Sequence, residues 1–90
     1  MAYNYQASET FWRKFYDLPE QKKISTRRAW EIFKEDPFDP RLNTHRINAL
    51  SARSRHTIMS ARIESDLRVI FYIDGNVVYT IDIGLHAIYQ

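Results

Sequence analysis

Two arginines, Arg62 and Arg68, and a histidine, His86, lie in or just beyond a region where hydropathy alternates with a period of two. On a strand, alternate residues share a face, so the pairing register decides which polar side chains meet. Met59, Ala61 and Ile63 alternate with Ile58, Ser60 and Arg62. Leu67, Val69, Phe71 and Ile73 alternate with Arg68, Ile70 and Tyr72, and Val77, Tyr79, Ile81 and Ile83 with Val78, Thr80 and Asp82. Keeping the apolar set on one face pairs Ile63 with Leu67 and Met59 with Phe71, and sets Arg62 opposite Arg68. The same criterion pairs Val69 with Ile81 and Phe71 with Tyr79, and sets Arg68 opposite Asp82. The expected row is Arg62, Arg68, Asp82, with His86 near its end. Adjacent guanidinium groups suit a phosphate, which arginine binds bidentately. An imidazole beside them is a candidate proton donor. Tyr89 is placed either to stack on a base or to cover the core. The bland counterpart is an Arg68–Asp82 surface pair with Arg62 in solvent.

Charge distribution points the same way. The net charge is only +2, and residues 1–40 carry seven basic and seven acidic side chains. Residues 41–62 carry five arginines, two histidines and no acid. Such a block is either a solvated loop or a polyanion site. Arg41, His45, Arg46, Arg53 and Arg55 are the candidate polyanion contacts. His45 should open a short strand with Arg46 and Ile47, as a base or a substrate contact. His56 reads as an exposed loop residue.

These residues need a scaffold. Tyr3 and Tyr5 suggest a short first strand. Ser8 can cap a helix running to about Leu18, with Phe11, Phe15 and Leu18 on one stripe and Trp12 and Tyr16 widening it. A second helix begins near Pro19 and should end at about Asp36, because Pro37 disfavours helix in the residue before it. The helix aromatics read as core. Three strands follow, with turns at Glu64–Asp66 and Asp74–Asn76, the second carrying an Asp-Gly signal. The fold class is therefore α+β: two N-terminal helices packed on an antiparallel sheet of three to four strands, in one domain spanning residues 1–90.

Several function classes fall away. There is no cysteine, hence no disulfide, thiolate site or thiol nucleophile. The three histidines lack zinc-ligand spacing, and no Gly-rich phosphate loop or nucleophile elbow exists. No metal and no cofactor is expected. No apolar run approaches the ~18 residues of a membrane span. The opening residues do not read as a signal peptide, so a reducing, cytoplasmic setting is the expectation.

The order of these pieces resembles the RelE/ParE superfamily of toxins from type II toxin–antitoxin pairs. The resemblance runs through Phe11-Trp12-Arg13, Leu18-Pro19-Glu20, Ile32-Phe33-Lys34-Glu35-Asp36-Pro37-Phe38 and His45-Arg46-Ile47. It continues through Ser60-Ala61-Arg62-Ile63, Asp66-Leu67-Arg68-Val69-Ile70-Phe71 and Ile83-Gly84-Leu85-His86 with Tyr89. It implies a metal-independent endoribonuclease cleaving messenger RNA on the ribosome, with a cognate antitoxin as partner. Arg68 would contact the scissile phosphate. Arg62 would take the basic position one strand earlier, a histidine in YafQ-like members. His86 and Tyr89 would serve acid catalysis and substrate placement. They stand three apart here rather than four. The glutamate base of YoeB-like members has no counterpart, since Arg41 falls near its place, and the lysine pair of RelE-like members is missing. The alternatives are a ParE-like inhibitor of DNA gyrase and a toxin-fold binding module without activity.

Overall fold

The computed structural model describes residues 3–85. In chain order the elements are β1 (Asn4–Ala7), α1 (Glu9–Tyr16), α2 (Glu20–Phe33), a 3₁₀ turn (Pro40–Leu42), β2 (His45–Arg46), α3 (Asn48–Ala52), β3 (Met59–Glu64), β4 (Leu67–Asp74) and β5 (Val77–Leu85). The α+β class and the three-strand meander are as expected. The sheet, however, has five strands in the order β1-β5-β4-β3-β2, and β1 runs parallel to β5, so it is mixed rather than antiparallel. Its two edge strands are the short ones expected near Tyr5 and at His45–Arg46; what alternation did not show is that both join the meander, one at each edge.

Ser8 starts α1. Its Oγ accepts from the Phe11 N–H at 3.0 Å, the N-cap bond that serine supplies. The helix ends at Tyr16, two residues short of the expected Leu18. Pro19 occupies the cap position of α2. That helix stops at Phe33 rather than near Asp36, and the chain leaves through tight turns in which Glu35 and Asp36 N–H both donate to the Ile32 carbonyl. Tyr5 Oη donates to the carbonyls of Phe33 and Lys34 at 2.9 and 3.0 Å, so β1 satisfies acceptors that the helix end leaves open.

Both helices pack on one face of the sheet. Phe11, Phe15 and Phe33 meet Ala61, Leu67, Val69, Phe71, Val78 and Ile83 there. The other face carries a second, smaller core of Ile47, Ile58 and Ile70, with Leu50 of α3 against it. The helix α3 lies inside the basic block, where only a loop was foreseen. Five residues are too few for a helical period to register. Trp12, Tyr16 and Trp30, expected in the core, are 46%, 65% and 40% exposed.

The β3–β4 register matches expectation at Met59–Phe71 and Arg62–Arg68. It then shifts, so that Glu64 rather than Ile63 faces Leu67, and Ser65 takes a left-handed φ of 42° in the turn. The β4–β5 pairing departs from expectation throughout. Phe71 faces Thr80, Val69 faces Ile83 and Arg68 faces Gly84, because the two-residue turn pairs Asp74 with Val77 and the register then shifts by a further residue between Ile70 and Phe71. The extra residue is Ile81, a β-bulge. It returns Ile83 to the buried helix face, which Thr80, paired with Phe71, already occupies. At the far end the two-residue turn Gly75–Asn76 has φ of 63° at glycine, which tolerates it without strain.

Ser8 secures the bulge as well as the helix. Its Oγ donates to the Ile81 carbonyl at 2.8 Å, and its N–H donates to the Thr80 carbonyl at 2.8 Å. Ser8→Ala removes the cap and the bulge tie together. We expect a loss of about 1–3 kcal/mol of stability in urea denaturation. A loss below about 0.5 kcal/mol would show that the hydroxyl holds neither element.

Candidate anion-binding site

On the sheet face away from α1 and α2, β3 and β4 set Arg62 directly opposite Arg68. Like charges so paired cost a few tenths to about 1 kcal/mol unless something between them is negative. Arg62 is exposed and Arg68 half-buried. Arg68 Nε and Nη1 are both buried, with no hydrogen-bond partner among the described residues. Burial, and then the neighbouring Arg62, lower the Arg68 pKa below arginine's ordinary value, against a smaller opposing effect of Asp66. Both causes disfavour the cation, and an anion at this position would relieve both.

The expected Arg68–Asp82 pair is not formed. The Ile81 bulge moves Asp82 opposite Ile70 and puts Gly84, which has no side chain, opposite Arg68. Asp82 instead binds Lys14 of α1 at 2.9 Å and accepts from the Ile83 N–H at 2.8 Å. The carboxylate that sequence reasoning placed against the arginine is therefore engaged elsewhere.

His45 sits on β2 opposite Ser60 of β3, and Ser60 shares its sheet face with Arg62. His45 Nδ1 lies 3.0 Å from the Asn43 carbonyl. A carbonyl only accepts, so the neutral ring keeps its proton on Nδ1 and leaves Nε2 with a free lone pair. That is the tautomer a general base requires. Ser60, which sequence reasoning did not single out, is buried, and its Oγ has no partner among the described residues. Strand alternation carries no sign of that. His86 and Tyr89 lie outside the described residues.

The basic block does not act as one patch. Arg41 is held by Asp39, with Nε and Nη2 each 3.0 Å from a carboxylate oxygen. This fork lowers the Asp39 pKa to about 2, led by the Arg41 side-chain hydrogen bond. Arg46, Arg53 and Arg55 are exposed, and none forms an ion pair among the described residues. His56 is not the loose loop residue expected. Its ring stacks on Tyr72 at 4.2 Å, Tyr72 stacks on Tyr79 at 5.0 Å, and His56 Nε2 lies 3.7 Å from Asp74. Ser51 of α3 accepts from the Ile58 N–H at 2.9 Å and donates to its carbonyl. The segment bearing Arg53 and Arg55 is thus fastened to the sheet at both ends.

A separate apolar hollow of about 450 Å³ opens on the helix face. Trp12 and Tyr16 of α1, Arg27 and Trp30 of α2, and Tyr5 of β1 line it. Among the described residues, no three His, Cys, Asp or Glu side chains come together as a metal-binding group.

No family model matches the sequence, and no curated protein matches it. Solved structures do match the fold. An archaeal RelE in its RelE–RelB complex from Pyrococcus horikoshii aligns at a TM-score of 0.73 and 16% identity, over 96% of this chain and 97% of that one. The E. coli DinJ–YafQ toxin–antitoxin complex gives 0.70 and 13%, over 98% and 97%. The YoeB dimer from Staphylococcus aureus gives 0.66 and 16%, over 96% and 99%. The chain has the fold of the RelE-type toxins.

Two measurements check the site electrostatics. Asp39 has its folded pKa lowered, so its contribution to stability is present above the unfolded carboxylate pKa and fades as pH falls toward 2. Its carboxyl carbon should titrate near 2 by NMR; a midpoint near the ordinary ~3.9 would mean that the fork is absent in solution. Arg46→Ala should reduce the salt dependence of single-strand RNA binding by close to one counterion, and Arg41→Ala by much less. Equal slopes for the two variants would show that Asp39 does not sequester Arg41.

Proposed function

We propose that this chain is the toxin of a toxin–antitoxin pair and an endoribonuclease acting on messenger RNA at the ribosome. One observation carries the reading: Arg68, beside Arg62, presents buried N–H donors with no partner among the described residues. Each unmatched buried group costs about 1–3 kcal/mol, and a phosphate oxygen would remove that cost.

The chemistry then follows from the groups present. The RNA 2′-oxygen attacks the adjacent phosphorus and its proton passes to a base. His45 Nε2 is the candidate, given its tautomer. Arg62 and Arg68 take up the charge that develops on the phosphoryl oxygens. The bond to the 5′-oxygen breaks, and His86 supplies the proton that this oxygen needs. The products are a 2′,3′-cyclic phosphate and a 5′-hydroxyl. Tyr89 positions the strand, while Arg46, Arg53 and Arg55 hold flanking phosphates. In-line placement, supplied in part by the ribosome, accounts for much of the rate.

The partner is a cognate antitoxin. Neighbours of the same fold were solved as RelE with RelB and YafQ with DinJ. The hollow at Trp12, Tyr16 and Trp30, with the Arg27 guanidinium over the Phe15 ring at 5.6 Å, suits an amphipathic segment bearing a carboxylate.

Induced expression in a bacterial host, with transcript 5′ ends mapped within minutes, tests this. Growth arrest with new in-frame cuts is the expected result. Arg68→Ala should abolish the arrest at matched expression, with cleavage lowered by about 10²-fold or more and the antitoxin still bound. All-deoxy substrate should remain uncut. Arrest with intact transcripts and DNA damage would move the target to gyrase. Normal growth with soluble protein would leave a binding module without activity.

A further inference from the structure

We propose that Ser60 is an additional donor of the Arg68 site, its hydroxyl binding an oxygen of the same phosphate. The inference rests on the phosphate-binding reading of Arg68 given above.

Ser60 is 2% exposed and its Oγ has no hydrogen-bond partner among the described residues. A buried hydroxyl left this way is disfavoured, and native structures contain few of them. The contrast with Ser51 is direct. That serine, equally sheltered, both donates to and accepts from the Ile58 backbone.

Register places the unused hydroxyl beside the unused guanidinium. Ser60 faces Ile70, and two residues along the same strands Arg62 faces Arg68. Ser60, Arg62, Ile70 and Arg68 therefore share one sheet face. Diagonal neighbours of this kind have side-chain origins about 7–8 Å apart, within reach of a long arginine. The two side chains do not bond each other; both are orphaned. A tetrahedral oxyanion between them would satisfy the hydroxyl and the guanidinium at once. The charged groups around this position are Arg62 and Asp66, with His45 across β2. Arg62 adds to the attraction for an anion. Asp66 opposes it, and Asp82 is held away by Lys14.

This assignment makes stability and binding move in opposite directions. A hydroxyl that serves the fold loses stability when removed; one reserved for a ligand does not. The test uses the full chain, inorganic phosphate as probe, and sodium chloride at matched ionic strength as control. In phosphate-free buffer, Ser60→Ala should unfold at the parent's midpoint or above. The parent's midpoint should rise with phosphate. Ser60→Ala should need about tenfold more phosphate for the same rise, while Ser60→Thr, which keeps the hydroxyl, should stay close to the parent. A short 2′-O-methyl RNA should show the same ranking in direct binding.

A parent-like phosphate response from Ser60→Ala overturns the proposal. If Arg68→Ala abolishes that response in the same assay, the Arg68 reading stands without Ser60. A phosphate-free midpoint for Ser60→Ala several degrees below the parent also overturns it, because the hydroxyl would then be holding the fold. No phosphate response in the parent removes the pocket and Ser60 with it. Should Ser60→Ala fail to fold, Ser60→Cys keeps the volume with only a weak donor, and the same criteria apply to it.

Discussion

The hydrogen bond from Ser8 Oγ to the Ile81 carbonyl fixes what Arg68 faces. Without the extra residue at Ile81, the register set by the Gly75–Asn76 turn would continue and bring Ile83 opposite Arg68 and Asp82 opposite Val69, on the buried helix face. A branched apolar side chain would then stand beside the guanidinium, and a carboxylate would be turned into the core. With the bulge, glycine stands opposite Arg68 and Asp82 turns to Lys14. A bulge leaves backbone groups out of the ladder, and these need partners. Ser8 supplies one for Ile81 with its hydroxyl and one for Thr80 with its N–H. The same serine caps α1, so the start of the helix and the pairing of β5 are settled by one residue.

Electrostatics on the open face follow from that geometry. Two opposed arginines are unfavourable in a small domain whose net charge is only +2. Nearby acids could offset them, yet they do so little. Asp82 binds Lys14, and Glu64 has its pKa lowered chiefly by the Ser25 hydroxyl, with Lys22 adding to it. Asp66 acts on Arg68 only as a third, weaker influence. Elsewhere the chain does pair its charges, as at Asp39 and Arg41. Among the described residues, the unpaired state of Arg62 and Arg68 is thus local to one face, which is the pattern expected where a ligand completes the structure.

Much of this was legible in the sequence, for physical reasons that also explain the rest. Strong alternation over six to nine residues announces β3, β4 and β5, and it fixes Arg62 opposite Arg68 because a one-residue slip would turn out Ala61, Val69 and Phe71. The Ile81 bulge was not legible. Thr80 is a polar residue on a buried face, and alternation argues for putting it outside; the two-residue turn at Gly75–Asn76 sets the register that pairs it with Phe71, and the Ser8 N–H, far away in the chain, ties its carbonyl there. The helices α1 and α2 showed in the spacing of Phe11, Phe15 and Phe33, but spacing could not separate these from their neighbours Trp12, Tyr16 and Trp30, which flank the hollow. Ser60 was invisible for a different reason. Its interest lies in a bond it does not make, and no pattern of residue types records that.

The two faces of the sheet are joined through α1. Phe11, Trp12, Phe15 and Tyr16 line the hollow on the helix face. Ser8, at the start of that helix, holds the bulge, and Lys14, within it, holds Asp82. A partner seated in the hollow therefore bears on the one element that keeps a carboxylate away from Arg68. Conversely, loosening of α1 would release Asp82 near the sheet face where Arg68 has no partner among the described residues. The Lys14–Asp82 bond is half-exposed and so of modest strength by itself. Its importance is positional, since it directs a charge that the neighbouring strand would otherwise attract. The aromatic surface and the guanidinium row, separated by the thickness of the sheet, thus depend on the same eight-residue helix.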